Sequence, residues 1–251
     1  TYEPAWPAMY TPDFYRQQEK DMGILAAHAE YNHEPLVKGK IFKPEMIVWG
    51  KLPALNSMNA IVAHWDVAYA GSSTSDFNAV KVWGRHKNNF WLIDGFCKQS
   101  KMKLAVEWMC MKQSEFKKEG VTCFWQFEAQ FWNDELRRIL EETEEETGVR
   151  LNIVQVERST MTKLIRLLTM HPYYQNGRIH VNEQLKSNPD IMTGLKQLYA
   201  VEPGMTEHDD SPDADEQAIK KLELYTEAPS SPGEKSQKPY KVGRMKMRFK
   251  W

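Results

Sequence analysis

Cysteine, excess charge and long apolar runs are all scarce in this sequence, and each shortage closes off a class of answer. Three cysteines in 251 residues, Cys97, Cys110 and Cys123, form no CxxC pair and are odd in number, so a reducing cytoplasm is the default expectation. The 33 Lys plus Arg nearly cancel the 34 Asp plus Glu and leave a formal charge of -1, so bulk charge alone would not hold the chain to nucleic acid or anionic lipid. Any basic surface has to be local. No run approaches the roughly 18 consecutive apolar residues of a membrane span. The first residues lack the charged, apolar and small-residue order of a signal peptide. No G-x-x-x-x-G-K-[ST] phosphate cradle occurs. No repeat recurs at a period of about 20 to 50 residues, which excludes solenoids and propellers.

What is present suits one main domain with appendages. Hydrophobic residues make up 41% of the chain and aromatic residues 12%, with nine Trp. Pro4, Pro7, Pro12, Pro35, Pro44 and Pro53 break residues 1–55 into short pieces, read here as a lead-in arm. Within it, Thr11-Pro12-Asp13 supplies an N-cap, a first-turn proline and an acid that suits the helix dipole, so a helix is expected from there to about Tyr31. The stretch IVAHWDVAY alternates Ile61, Ala63, Trp65, Val67 and Tyr69 against Val62, His64, Asp66 and Ala68, the pattern of a strand. DFNAVKVWG and NFWLIDGF, joined by Arg85 to Asn88, read as a hairpin. Met102 to Lys118 reads as a helix stopped near Gly120, VTCFWQFE as a short buried strand, and Trp132 to Thr147 as a helix. LNIVQVE is a further strand, MTKLIRLLTMH a helix stopped by Pro172, Asn176-Gly177 a turn and RIHVNE an edge strand. Helices follow over Asp190 to Ala200 and from Asp210 or Ser211, where Pro212 sits just inside the start. The fold class is α/β: a central mixed sheet of five or more strands, three antiparallel and then parallel, flanked by helices. The main domain is placed at 56–227. Residues 228–251 form a basic tail, expected to be mobile, that carries Lys241, Arg244, Lys246 and Arg248.

Acids stand at three places in this order of elements. Asp66 lies in the first strand, Glu128 ends the fourth, and Asp209, Asp210 and Asp213 surround the start of the last helix. A carboxylate in a hydrophobic strand is costly to bury unless it is paired or holds a metal; a solvated strand face or an unseen Lys or Arg partner is the plainer reading of Asp66 alone. Converging carboxylates change the balance, because two of them about 4 Å apart repel by roughly 4 kcal/mol at an effective dielectric of 20. Divalent cations remove that repulsion, and oxygen donors suit Mg²⁺ or Mn²⁺. A pair of such ions can activate a water and stabilise the leaving oxygen of a phosphodiester. His64 and His208 flank these acids, although a lone His is more often an ordinary hydrogen-bonding residue.

The segments IVAHWDVAYAGSSTSDFNAV, WQFEAQ, KLIRLLTMHPYYQNGRIHV and HDDSPDA, in that order, resemble the C-terminal nuclease domain of tailed-phage terminase large subunits over about residues 30 to 225. EYNHEPLVKGKIFKPEMI resembles the join from the terminase ATPase domain into the nuclease. The resemblance implies an RNase H-like fold and a metal-dependent endonuclease that cuts double-stranded viral DNA during genome packaging, using two Mg²⁺ or Mn²⁺ ions. It implies Asp66, Glu128, Asp210 and Asp213 as catalytic residues. Those four with Asp209 are the metal-ligand candidates, and Asp76, after the first-strand loop, is a further one whose plainer role is a turn cap. Lys163 and Arg166, spaced to share a helix face, would contact phosphate, with a solvated face as the equal alternative. Lys241, Arg244, Lys246 and Arg248 could add salt-dependent contacts. The implied partners are double-stranded DNA, the portal protein, the small terminase subunit and the terminase ATPase domain, with no membrane, in the host cytoplasm. The missing P-loop departs from full-length large subunits, so an excised or separately encoded nuclease half is expected. Another RNase H-like nuclease, of the Holliday-junction resolvase or RNase H type, is the close alternative; an inactive DNA- or protein-binding module is the distant one.

Overall fold

In the computed structural model, which describes residues 9–23, 27, 41–69, 76–157 and 159–225, the strand IVAHWD organises everything else. The basic tail with Lys241, Arg244, Lys246 and Arg248 lies outside the described residues, as do most of the loop after Tyr69 and much of the lead-in arm. Strand β2 (Ala60–Asp66) is flanked on one side by β3 (Asn78–His86), antiparallel, and on the other by β5 (Cys123–Glu128), parallel. Being central, it buries both faces: Ile61, Ala63 and Trp65 enter one core and Val62 the other.

The hairpin forms as expected, β3 running into β4 (Asn89–Lys98) through a turn in which Lys87 adopts φ 55°. With β1 (Val48–Gly50), β6 (Ile153–Val156) and β7 (Ile179–Asn182), the sheet has seven strands in the order β1-β7-β4-β3-β2-β5-β6. The RIHVNE segment is therefore interior, paired in parallel with both β4 and β1. The outer place is taken by Val48–Gly50, from the stretch read as a lead-in arm; three residues carry too little alternation to announce a strand.

Helices α2 (Met102–Lys118) and α3 (Asp134–Thr147) cover one face of the sheet. Helices α4 (Lys163–Gln175), α5 (Pro189–Ala200) and α6 (Asp210–Leu222) cover the other. In the arm, α1 (Pro12–Met22) starts as expected, with Thr11 Oγ1 accepting from Phe14 N at 3.2 Å, but ends at Gly23, whose φ of 86° leaves the helical region well before Tyr31. Pro172 does not stop α4, which runs on to Gln175. The proline forfeits one backbone bond, and packing offsets the loss: Gly23 lies so close that a Cβ there would meet Pro172 Cγ at 3.1 Å, and Asn176 Nδ2 donates to Lys20 O at 2.9 Å.

Two details aim the sheet at its C-terminal edge. Buried Asn78 uses both ends of its amide: Oδ1 accepts from Trp65 Nε1 (2.9 Å) and Ala68 N (3.1 Å), and Nδ2 donates to Ala68 O (2.9 Å) and Ser100 O (2.7 Å). The chain leaving β2 is thereby tied down on either side of Asp66. Gly194 in α5 lets the start of α6 come close, with a Cβ there clashing with Ser211 Oγ and Lys81 Nζ and lying 3.1 Å from Ser211 Cβ. Gln197 Oε1 accepts from Ser211 N at 2.8 Å beside it. Gly194→Ala should therefore destabilise the protein by about 1 to 3 kcal/mol through overpacking, lowering the melting temperature by roughly 2 to 4 °C per kcal/mol. Thermal unfolding followed by circular dichroism checks this; an unchanged melt would mean that α6 can retreat without cost.

Candidate metal centre

Asp66 is the last residue of β2 and Glu128 the last of β5, each two residues past the paired His64 and Gln126. Parallel neighbours at equal register point their side chains to the same face about 4.8 Å apart. Helix α6 brings Asp210 and Asp213, three apart and so on one face, to the same place. Asp66, Asp76, Glu128, Asp210 and Asp213 all line one cleft of about 940 Å³, together with Lys163 and Arg166. Five carboxyl groups outnumber the two cations in the cleft.

The two cations share one face of α4, as their spacing predicts, and that face is turned to the acids. Lys163 Nζ donates to Asp209 Oδ1 and lies 2.8 Å from Asp213 Oδ2. Arg166 is buried, with Nη2 donating to Asp213 Oδ1 at 3.0 Å and Nη1 to Glu216 Oε2 at 2.8 Å. Asp209 is thus held by Lys163 and, unlike the other acids of the sequence reading, does not line the cleft. His64 is buried beneath, its pKa pushed down to about 3 by desolvation and by Arg166, so it is neutral at pH 7. His208 reaches the rim, with Nδ1 3.6 Å from Asp76 Oδ1 and 3.7 Å from Asp210 Oδ2.

Burial is the first cause of the raised pKa of Asp66, which stands well above the ordinary 3.8; the negative charges of Asp213 and Asp210 push it further and Lys163 opposes them. Asp210 and Asp213 are also raised by burial, against the Phe77 N–H in the first case and Lys163 and Arg166 in the second. Although burial works against its charge, Lys163 is held protonated by Asp213 and Asp209. Even with both cations engaged, then, the carboxylates are short of positive charge. A set of convergent carboxylate oxygens short of positive charge fits hard divalent cations such as Mg²⁺ and Mn²⁺.

Sequence reasoning missed the layer under this cleft. Asp215, fully buried on α6, accepts from Trp83 Nε1 at 2.8 Å, and Lys81, 1% exposed in β3, opposes its charge. Glu216 anchors Arg166. The available signal was a polar residue inside an apolar strand, Asn78 and Lys81 in FNAVKVWG, and an acid three residues after Asp213.

Two outcomes follow. Arg166→Met leaves Glu216 buried without its ion-pair partner and Asp213 with Lys163 alone, and should cost about 3 to 5 kcal/mol in urea unfolding; a loss under about 1 kcal/mol, as for an exposed pair, would contradict the burial. For pH the sign is set by the raised carboxylates. They bind a proton in the folded state above 3.8, so the stability they contribute is present at low pH and lost as pH rises through their folded values. In EDTA the melting temperature should fall as pH rises above the ordinary carboxylate range. Asp66→Asn should flatten that slope, and added Mn²⁺ should raise the melt most at the alkaline end. A pH-independent melt in EDTA would refute the assignment.

The family described as the terminase RNaseH-like domain matches residues 63–222. Among solved structures, the human cytomegalovirus terminase nuclease domain, Mn-soaked and inhibitor-bound, is similar at 11% identity and a TM-score of 0.53, over 74% of this chain and 96% of that one. The large terminase of a thermophilic bacteriophage is similar at 9% identity and a TM-score of 0.54, over 85% of this chain and 53% of that one. The chain thus spans about half the length of that phage protein. No curated protein matches by sequence. At such low identities the structures speak for the fold alone, a mixed sheet flanked by helices of the RNase H-like kind. The match over residues 63–222 speaks for descent: the chain belongs to the family of terminase RNase H-like domains.

Proposed function

We propose that the chain is a divalent-metal-dependent endonuclease that hydrolyses phosphodiester bonds of double-stranded DNA during viral genome packaging. The observation that carries this reading is the convergence of Asp66, Glu128, Asp210 and Asp213 on one cleft whose cations are outnumbered. Two divalent ions, Mg²⁺ or Mn²⁺, would supply there a water acidic enough to attack and positive charge against the phosphate.

The chain's own residues do the positioning. Asp66 and Glu128 present adjacent carboxylates from strands that cannot shift relative to each other, and Asn78 holds the exit of β2 so that Asp66 keeps its direction. Gln130 Nε2 donates to Glu128 Oε2 at 2.6 Å and fixes its second oxygen. Arg166 anchors Asp213 from below, while Lys163, more exposed, is the cation placed to meet a phosphate once Asp213 no longer needs it. Lys241, Arg244, Lys246 and Arg248 are proposed as salt-dependent contacts to the DNA backbone. The portal protein, the small terminase subunit and a terminase ATPase domain are the proposed partners, in the host cytoplasm.

The test is nicking and linearisation of supercoiled plasmid with Mn²⁺ or Mg²⁺, with Asp66→Ala and Glu128→Gln purified in parallel. Wild type should cut in metal and stop in EDTA, and both variants should fall to the level of buffer alone. Cutting that persists in Asp66→Ala would assign the activity to a contaminant, and a folded wild type that never cuts would refute the reading for this chain.

A further inference from the structure

An edge strand presents a row of unpaired backbone groups that invites another chain, and proteins commonly cover it. Strand β6 is such an edge: among the described residues its single neighbour is β5. Asn152 O accepts from Trp125 N at 3.0 Å, so by alternation the backbone groups of Val154 and Val156 turn to β5 and those of Ile153 and Gln155 turn outward. The two faces of this edge differ. On one, Ile153 joins the core under α3, a helix of seven acids and two arginines on which Glu141 and Glu145 stand exposed, and Glu144 Oε1 ties it to the strand by accepting from Leu151 N at 2.8 Å. On the other, Val154 and Val156 are half-buried and Phe124 of β5 is exposed, and none of the three belongs to a core. A strand that fits here needs cations on its α3 side and apolar side chains on the opposite side.

The basic tail has that pattern. Residues 244–251 alternate without a break, Arg244, Lys246, Arg248 and Lys250 against Met245, Met247, Phe249 and Trp251, the period of a two-faced strand. We propose that residues 244–251 add to β6 as an eighth strand of the sheet, with their cations toward the glutamates of α3 and their apolar side chains over Val154, Val156 and Phe124. Charge complementarity sets the orientation, since the opposite face would lay the cations on valine and phenylalanine. Reach suffices: Tyr225, the last described residue, shares a cavity of about 310 Å³ with Phe124, and the 18 residues from 226 to 243 span up to about 60 Å when extended. Arg244, Lys246 and Arg248 are also proposed contacts to DNA, so docking on β6 and binding to the DNA backbone exclude each other. The docking itself does not depend on whether the cleft cuts DNA.

The experiment is amide hydrogen exchange of the full chain at low ionic strength, read residue by residue by nuclear magnetic resonance. In wild type the outward amides of Ile153 and Gln155 should be protected, at a level that does not change with protein concentration. Phe249→Asp with Trp251→Asp, and separately Lys246→Glu with Arg248→Glu, should speed their exchange by about tenfold or more. The amides of Val154 and Val156, which face β5, should keep their rates in every variant and so report that the sheet is intact. Adding Glu141→Lys and Glu145→Lys to the Lys246→Glu, Arg248→Glu chain should restore the protection. Exchange at Ile153 and Gln155 that is equally fast, or equally slow, in wild type and tail variants overturns the proposal. Protection that grows with protein concentration assigns the strand to a second copy and overturns it as a contact within one chain.

Discussion

Asp66 ends a strand that is dry on both faces, and the cost of an anion there governs its surroundings. An isolated buried carboxylate is far too expensive to keep ionised, so either it stays protonated or the fold supplies positive charge. The protein does part of each. Its own cations, Lys163 and Arg166, are committed to Asp209, Asp213 and Glu216, and Asp66 still sits above the ordinary carboxylate range. The remaining deficit would favour a divalent ion over a monovalent one, because each further unit of charge offsets one more carboxylate.

Helix α6 is the element most shaped by this constraint. A helix packed on a sheet ordinarily buries Leu, Ile and Val, yet the first turns of α6 bury Asp210, Ser211, Asp215 and Glu216. Lys81 and Trp83 answer Asp215 from the strand below, and Arg166 answers Glu216 from the neighbouring helix. Ala214 packs early, against Ala79 and Cys97, and the larger aliphatic contacts come afterwards, with Ile219 and Leu222. One end of the helix is held by charge and the other by packing, and the Phe77 N–H just before β3 adds a hydrogen bond to Asp210.

Asp66 stood out because it broke a local rule, a carboxylate in an apolar strand, whereas the acids at the start of α6 obey one, suiting a helix N-terminus, and were singled out by the order of motifs. Strand β2, the hairpin and the helix starts were legible from periodicity and caps. Spacing could say that Lys163 and Arg166 share a face but not what that face meets, since the answer depends on how α4 lies against α6, a contact between residues some fifty positions apart. Asn78 and Lys81 escaped notice for the same reason, as their partners come from other parts of the chain. Pro172 misled because its cost in isolation is real, and only the docking of α1 shows why it is tolerated. The resemblance in motif order carried the fold further than composition could.

The three thiols have a bearing on which ions the protein can hold. Cys97, Cys110 and Cys123 are all buried, and burial raises the pKa of each, Cys97 to about 12, so at neutral pH almost no thiolate exists to act as a soft ligand. Thiolate is in this way withdrawn from coordination chemistry, and the sulfur left at the described surface is the thioether of exposed methionines such as Met111 and Met161. Which ions such a cleft would hold depends on the thiols that the core hides as well as on the carboxylates that the cleft displays.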